Sequence, residues 1–338
     1  MKTHFIVGMS RAGTTWLAKV LNNHPDVAAF GETAFWGRKY VEPEQDGRYS
    51  TEQMKTIIAQ HRECPYATEK TNVQSDAKSG CLKDSTSHAY PELVSAAFAS
   101  LPDRPTPADV FEAITSSILK AEGKSIAVEK TPHHLNWIHR ISSSMPDARF
   151  VVLIRRPYEF VLSYKHQGDR KPAAIKAMFQ RLYHPLACAF VWRAYMRAAW
   201  GAAAKYPQQT HVVYFEDMIC NEHEVLTATQ NFLGLHHADI AGSVPPDNTS
   251  FPSGLRPELN AADIFWINLI ARREIKAMGI PFKQSNGNPL AILWSFVSLP
   301  WWSIRNLIAF SRSSNSTFKY LLRWISPDRP TMTGNAVR

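Results

Sequence analysis

The sequence predicts an α/β fold of three layers, with a central parallel sheet flanked by helices. Short apolar runs of strand length recur at residues 4–9, 27–30, 125–128, 150–154 and 211–215. Segments of helical periodicity lie between most of them, the alternation expected of a parallel sheet. A G-x-x-x-x-G run, Gly8 to Gly13, also sits between the first strand and the first helix. That is where phosphate-binding loops sit, so the fold expected is P-loop-like.

In order, residues 4–9 form the first strand and Thr14 to Asn22 the first helix, with Trp16, Leu17, Val20 and Leu21 on one face. His24-Pro25-Asp26 ends that helix, and Val27 to Phe30 is a second short strand. Residues 38–124 are polar and rich in turn residues, and read as insertions for acceptor recognition. Ser125 to Val128 is a strand and His134 to Ser143 a helix. Phe150 to Ile154 is the clearest buried strand, and Tyr158 to His166 the helix after it. His211 to Phe215 is a further strand, with helices at about 222–233 and 260–278. Residues 1–283 make one domain, and 284–338 an apolar and basic extension without Asp or Glu until Asp328.

A chain of 338 residues buries enough surface to need no staples. Its formal charge of +9 suggests an anionic partner without saying which. Cys64, Cys81, Cys188 and Cys220 are scattered, which argues against a zinc site or a disulfide framework and for free buried thiols. The first strand starts too early for a signal peptide, and no apolar run is long enough to span a bilayer. A cytoplasmic setting is expected. Nucleic acid is not, since no interleaving of aromatic and basic residues occurs outside the extension.

Two constellations carry chemistry. In the loop Gly8 to Thr15, Gly13 permits a tight turn, and the N–H groups that follow point at an anion. The lysine position of nucleotide triphosphatases is Thr14 here, Arg11 is the loop's cation, and no clear Mg²⁺-binding aspartate follows a strand. A small-molecule kinase on this scaffold is therefore disfavoured. Arg155 closes the buried strand and Ser163 follows eight residues later, two turns into a helix. Such a pair can hold one phosphate from two sides, through the bidentate arginine fork and a hydroxyl.

These residues resemble the sulfotransferases that use 3′-phosphoadenosine 5′-phosphosulfate (PAPS). Ser10-Arg11-Ala12-Gly13-Thr14-Thr15-Trp16 is similar to their first signature, and Arg155 with Ser163 to their second. Glu129-Lys130-Thr131-Pro132 resembles the family's lysine-bearing segment, and Tyr214 to Met218 its Tyr-Glu-Asp-Leu strand end. The resemblance implies that Arg11, Ala12, Gly13, Thr14 and Thr15 hold the 5′-phosphosulfate, and Arg155 and Ser163 the 3′-phosphate. Trp16 falls where some members stack an aromatic on adenine, though a core tryptophan fits equally. Arg11 stands where cytosolic small-molecule enzymes have Lys, whereas tyrosylprotein and many bacterial members have Arg.

Two bases stay open. His133 lies near the cytosolic enzymes' histidine, with Pro132 shifting the spacing. Glu32, in Gly31-Glu32-Thr33 after Asn23-His24-Pro25, matches the glutamate of the tyrosylprotein type and is favoured. Arg11 and Lys130 would neutralise the leaving oxygen, with no metal. A catalytically inactive nucleotide-binding protein is the other alternative. The acceptor is a free hydroxyl. Ala34 replaces an arginine of the tyrosylprotein enzymes, which turns the expectation towards a glycan or a lipid-linked sugar. Residues 284–325 are expected to meet an anionic membrane surface peripherally, to pack on the domain, or to form a homodimer. Pro300 is expected to interrupt any helix there.

Overall fold

A computed structural model of the chain describes residues 2–61, 84–242, 257–285 and 287–312. Five strands, β1 (Lys2–Gly8), β2 (Val27–Gly31), β3 (Ile126–Lys130), β4 (Phe150–Ile154) and β5 (Thr210–Tyr214), form one sheet in the order β2-β3-β1-β4-β5. Every pairing is parallel, so the carboxyl ends of all five share one edge. Gly31 pairs with Lys130, and Gly8 with Leu153, which fixes which loops are neighbours there. β1 and β4 read as unbroken apolar runs because both faces are covered; Phe5, Ile6 and Val7 and all of β4 are buried.

Thirteen α-helices are described: α1 (Thr14–Leu21), α2 (Thr51–His61), α3 (Asp84–Ala99), α4 (Pro107–Glu122), α5 (Ile138–Ser144), α6 (Pro157–Lys165), α7 (Ala173–Leu182), α8 (Pro185–Lys205), α9 (Phe215–Cys220), α10 (Glu222–Leu233), α11 (Ala261–Ile270), α12 (Arg272–Ala277) and α13 (Leu290–Arg312). The right-handed rule for parallel crossovers sends α1, between β1 and β2, to one face and α4, between β2 and β3, to the other. The core is a ring stack: Phe5 of β1 lies between Phe111 of α4, at 5.6 Å, and Phe150 of β4, at 5.4 Å.

Several expectations change. Residues 107–122, read as irregular insertion, are α4, whose Val110, Phe111, Ile114 and Ile118 are core. Residues 134–137, expected to open one helix running to Ser143, instead belong to a 3₁₀ turn, Pro132–Trp137. The helical segment 260–278 is two helices, broken at Ala271. α13 runs through Pro300 without stopping. Cys188 is a free buried thiol, but Cys220 is exposed; Cys64, Cys81 and residues 313–338 lie outside the described residues. No helix among the described residues is long and apolar enough to cross a membrane.

Candidate active site

The loop after β1 is shaped by two glycines. Gly8 has φ +132°, and a Cβ there would stand 2.1 Å from the Leu153 carbonyl oxygen, so β1 and β4 meet too closely for a side chain. Gly13, at φ +83°, is the N-cap of α1 and provides no side-chain cap. The first N–H groups of α1 are thereby left to an anion at the positive helix end. Arg11 lies between them at φ +70°, a left-handed conformation that costs a non-glycine residue some strain. Thr14 is buried and Thr15 exposed.

The second constellation meets the first. Arg11 Nε donates to Ser163 Oγ at 3.5 Å, and Arg155 Nη1 donates to the Arg11 carbonyl at 2.9 Å. Water reaches Arg11, yet protein walls surround it, and the resulting desolvation lowers its pKa. Arg155 is lowered too, first by burial and also by the charge of Arg11, against the pull of Glu216 and Glu159. Its Nε is buried without a hydrogen-bond partner.

The strand end at Tyr214 to Met218 frames this cleft. The Arg155 guanidinium lies 4.4 Å from the Phe215 ring, and Phe215 and Met218 crowd Gly13 so closely that a Cβ would clash at 2.8 Å. Glu216 accepts the Arg156 backbone N–H at 3.1 Å.

Glu32 and Lys130 follow from register. β2 and β3 are neighbours, so the residue after Gly31 stands beside Lys130; Lys130 Nζ reaches Glu32 Oε1 at 2.6 Å. Lys130 is buried to its tip whereas Glu32 is half exposed, so the carboxylate is open to solvent. β3 lies between β2 and β1, so Glu32 faces Lys130 rather than the loop directly.

His133 hydrogen-bonds through Nδ1 with Tyr195 Oη at 2.9 Å, and Tyr195 Oη lies 3.4 Å from Ser10 Oγ. Burial lowers its pKa, partly opposed by the charge of Glu32, which favours a neutral imidazole. Trp16 is almost wholly buried, and its indole N–H donates to the Gly242 carbonyl at 2.8 Å. Its ring packs in the hydrophobic core.

Other residues of the site carried no reading from sequence. Glu129 is fully buried; its Oε1 accepts from Thr33 N–H at 3.0 Å and from the Thr33 and Thr131 hydroxyls at 2.8 and 2.5 Å. Its Oε2 meets His134 Nδ1 at 3.0 Å. Burial alone would raise this carboxyl, but His134 and the threonine hydrogen bonds hold it below the ordinary range. The network fixes Thr33 and Thr131, the neighbours of Glu32 and Lys130. A charged residue inside an apolar strand was the available signal. Tyr195, and Trp192, which donates to the Arg155 carbonyl at 2.8 Å, had none, because nothing was read between residues 167 and 210.

Among the described residues, one group could hold a metal ion, His24, Asp26 and His236. It precedes β2, at the opposite sheet edge from Glu32, and both ring nitrogens of His24 are already hydrogen-bonded.

No curated protein matches the chain in sequence. Among solved structures, the sulfotransferase domain of the olefin synthase of Synechococcus PCC 7002 superposes with a TM-score of 0.45 at 16% identity, covering 84% of this chain and 98% of that one. A sulfotransferase from Mycobacterium avium gives 0.44 at 13%, covering 85% and 78%. One from Alicyclobacillus acidocaldarius gives 0.42 at 15%, covering 83% and 97%. The family model described as "Sulfotransferase family" matches residues 4–239, the span that holds both signatures, Glu32 and Lys130. The chain belongs to the sulfotransferase family.

Proposed function

We propose that the chain transfers a sulfuryl group from PAPS to the hydroxyl of a glycan or a lipid-linked sugar. The observation that carries the donor is the meeting of Arg11, Ser163 and Arg155, two crowded cations and a hydroxyl, with the buried Nε of Arg155 unpartnered. Such a cleft suits a ligand with two separated anionic groups. Arg11 and the N–H groups after Gly13 would hold the 5′ end; Arg155 and Ser163 would hold the 3′-phosphate. PAPS, when bound, supplies a sulfuryl group activated by its attachment to phosphate.

Glu32 accepts the proton of the acceptor hydroxyl at its exposed carboxylate. Lys130 and Arg11 meet the negative charge that develops on the leaving oxygen, and being held in place beforehand they need no reorganisation. The 2.6 Å contact puts base and countercharge side by side, so proton removal and charge neutralisation occur at one point of the sheet edge. His133, whose pKa burial lowers, hydrogen-bonds Tyr195, which in turn lies beside Ser10 of the loop. Ala34, two residues past Glu32, stands where the tyrosylprotein enzymes carry an arginine, which supports a sugar hydroxyl over an acidic tyrosine peptide.

Glu32→Gln keeps size and hydrogen bonding while removing proton acceptance. It should cut turnover by about 10²–10⁴ and leave PAPS affinity, measured by calorimetry, unchanged. Full activity in Glu32→Gln together with loss of activity in His133→Ala would move the base to His133.

A further inference from the structure

Helix α13 is apolar on two sides, and Ala291, Phe296 and Trp302 pack on the domain. At about 100° per residue, Ser295, Trp302 and Asn306 fall on the side that meets the domain, and Ser295 and Asn306 are buried there. The Ser295 hydroxyl accepts the Trp266 indole N–H at 2.9 Å, and its carbonyl lies 3.1 Å from His184 Nε2. The opposite side carries Leu293, Trp294, Val297, Trp301, Ile304 and Leu307, all exposed; Trp294 and Trp301 are 68% and 69% exposed. A helix that merely closed the domain would turn that side inward. A continuous apolar stripe of this kind marks a surface for another body.

The rim of the stripe is cationic. Arg305 Nη2 donates to the Arg181 carbonyl at 2.6 Å, which ties α13 to the end of α7. α7 buries none of its residues, and its Met178, Arg181 and Leu182 are exposed. From Gln284 to Pro327 the chain has Arg305, Arg312, Lys319 and Arg323 and no acid. Tryptophans among apolar residues, with Arg181 and Arg305 near by and no acid in the sequence from Gln284 to Pro327, suit the headgroup layer of an anionic bilayer. A symmetric pair of chains would bury the same tryptophans, but the same patch faces itself in such a pair. It would bring the cations of each copy against those of the other.

We propose that the outward face of α13, together with α7, docks flat on an anionic membrane surface. The proposal stands apart from the donor and the base assigned above. Flotation of the full chain with vesicles of phosphatidylcholine, with and without phosphatidylglycerol, tests it. Binding to the anionic vesicles should exceed binding to the neutral ones by roughly tenfold or more, as two or more cations near a charged surface would give, and should fall at high salt. Trp294→Glu combined with Trp301→Glu should abolish flotation, while the thermal transition of the protein stays in place. A wild-type chain that stays in the soluble fraction overturns the proposal, as does equal binding to both vesicles. A soluble dimer that the same two substitutions dissociate assigns the face to a second copy, and overturns it too.

Discussion

A buried guanidinium nitrogen without a hydrogen-bond partner carries an unmet desolvation cost of about 1–3 kcal/mol, and Arg155 Nε is in that position. An acceptor that enters the cleft, such as a phosphate oxygen, would recover that cost. Arg155 should therefore discriminate between ligands that differ by one phosphate. PAPS should bind at least roughly tenfold more tightly than adenosine 5′-phosphosulfate, since a charge-assisted hydrogen bond contributes about 1.5–3 kcal/mol. Arg155→Ala should erase most of that difference; equal affinities in the unmodified protein, by calorimetry, would remove the role given to Arg155 and Ser163. At this scale, the residues legible in sequence were those fixed by local spacing. Arg11, Gly13, Arg155 and Ser163 each lie within a loop and the helix beside it. Glu129 was visible but mute, because its meaning lies in Thr33 and His134, which only strand pairing brings to it. Trp16 looked the same either way, since apolar burial and ring stacking ask for the same side chain.

Among the elements, the strands were read nearly to the residue, because continuous apolar runs bounded by turns admit few registers. The helices were read less well. α8 buries Trp192, Tyr195, Met196 and Ala199 and spans 21 residues, yet apolar and alanine residues surround it so evenly that no face stands out. α4 was lost inside a polar region although its start is written plainly. Thr106 accepts the Asp109 N–H at 3.2 Å, and Asp109 accepts the Thr106 N–H at 2.8 Å, with Pro107 in the first turn. This reciprocal cap satisfies two backbone donors at the start of a helix that supplies Phe111 to the core. Thr106→Ala should lower the unfolding free energy by about 1 kcal/mol, read by urea denaturation. Turnover should be unchanged, since the side-chain bonds of the cap run only between Thr106 and Asp109 and reach no residue of the site. A loss of activity without a loss of stability would show that this segment acts on the site, as its reading as an acceptor insertion requires.

Over the whole molecule, the strand order, which no strand's own sequence states, sets Glu32 beside Lys130, and Arg155 beside Arg11. Five histidines dispersed through the fold are harder to charge than free imidazole. Burial lowers His4 from the ordinary 6.5 to about 4, and His61 from 6.5 to about 3. His133, His184 and His211 are lowered as well, each first by burial. All five rings are harder to protonate in the folded chain than in the unfolded one. Below the ordinary histidine value the unfolded chain therefore binds more protons, and stability falls as the pH falls. Full stability should hold above about pH 6.5 and decline steadily towards pH 4. His4 alone, at 1.36 kcal/mol per pKa unit, should account for a loss on the order of 3 kcal/mol. Below that, Glu129 and Glu274, carboxyls held under their ordinary range in the fold, extend the loss in the same direction. Urea denaturation at a series of pH values reads this directly. In His4→Asn the amide oxygen can still accept the Arg149 N–H that His4 Nδ1 now takes at 3.2 Å, so the slope between pH 6.5 and 4 should become shallower. Stability that does not change between pH 7 and 5, or a slope untouched by His4→Asn, would show that these rings admit water and protons despite their burial.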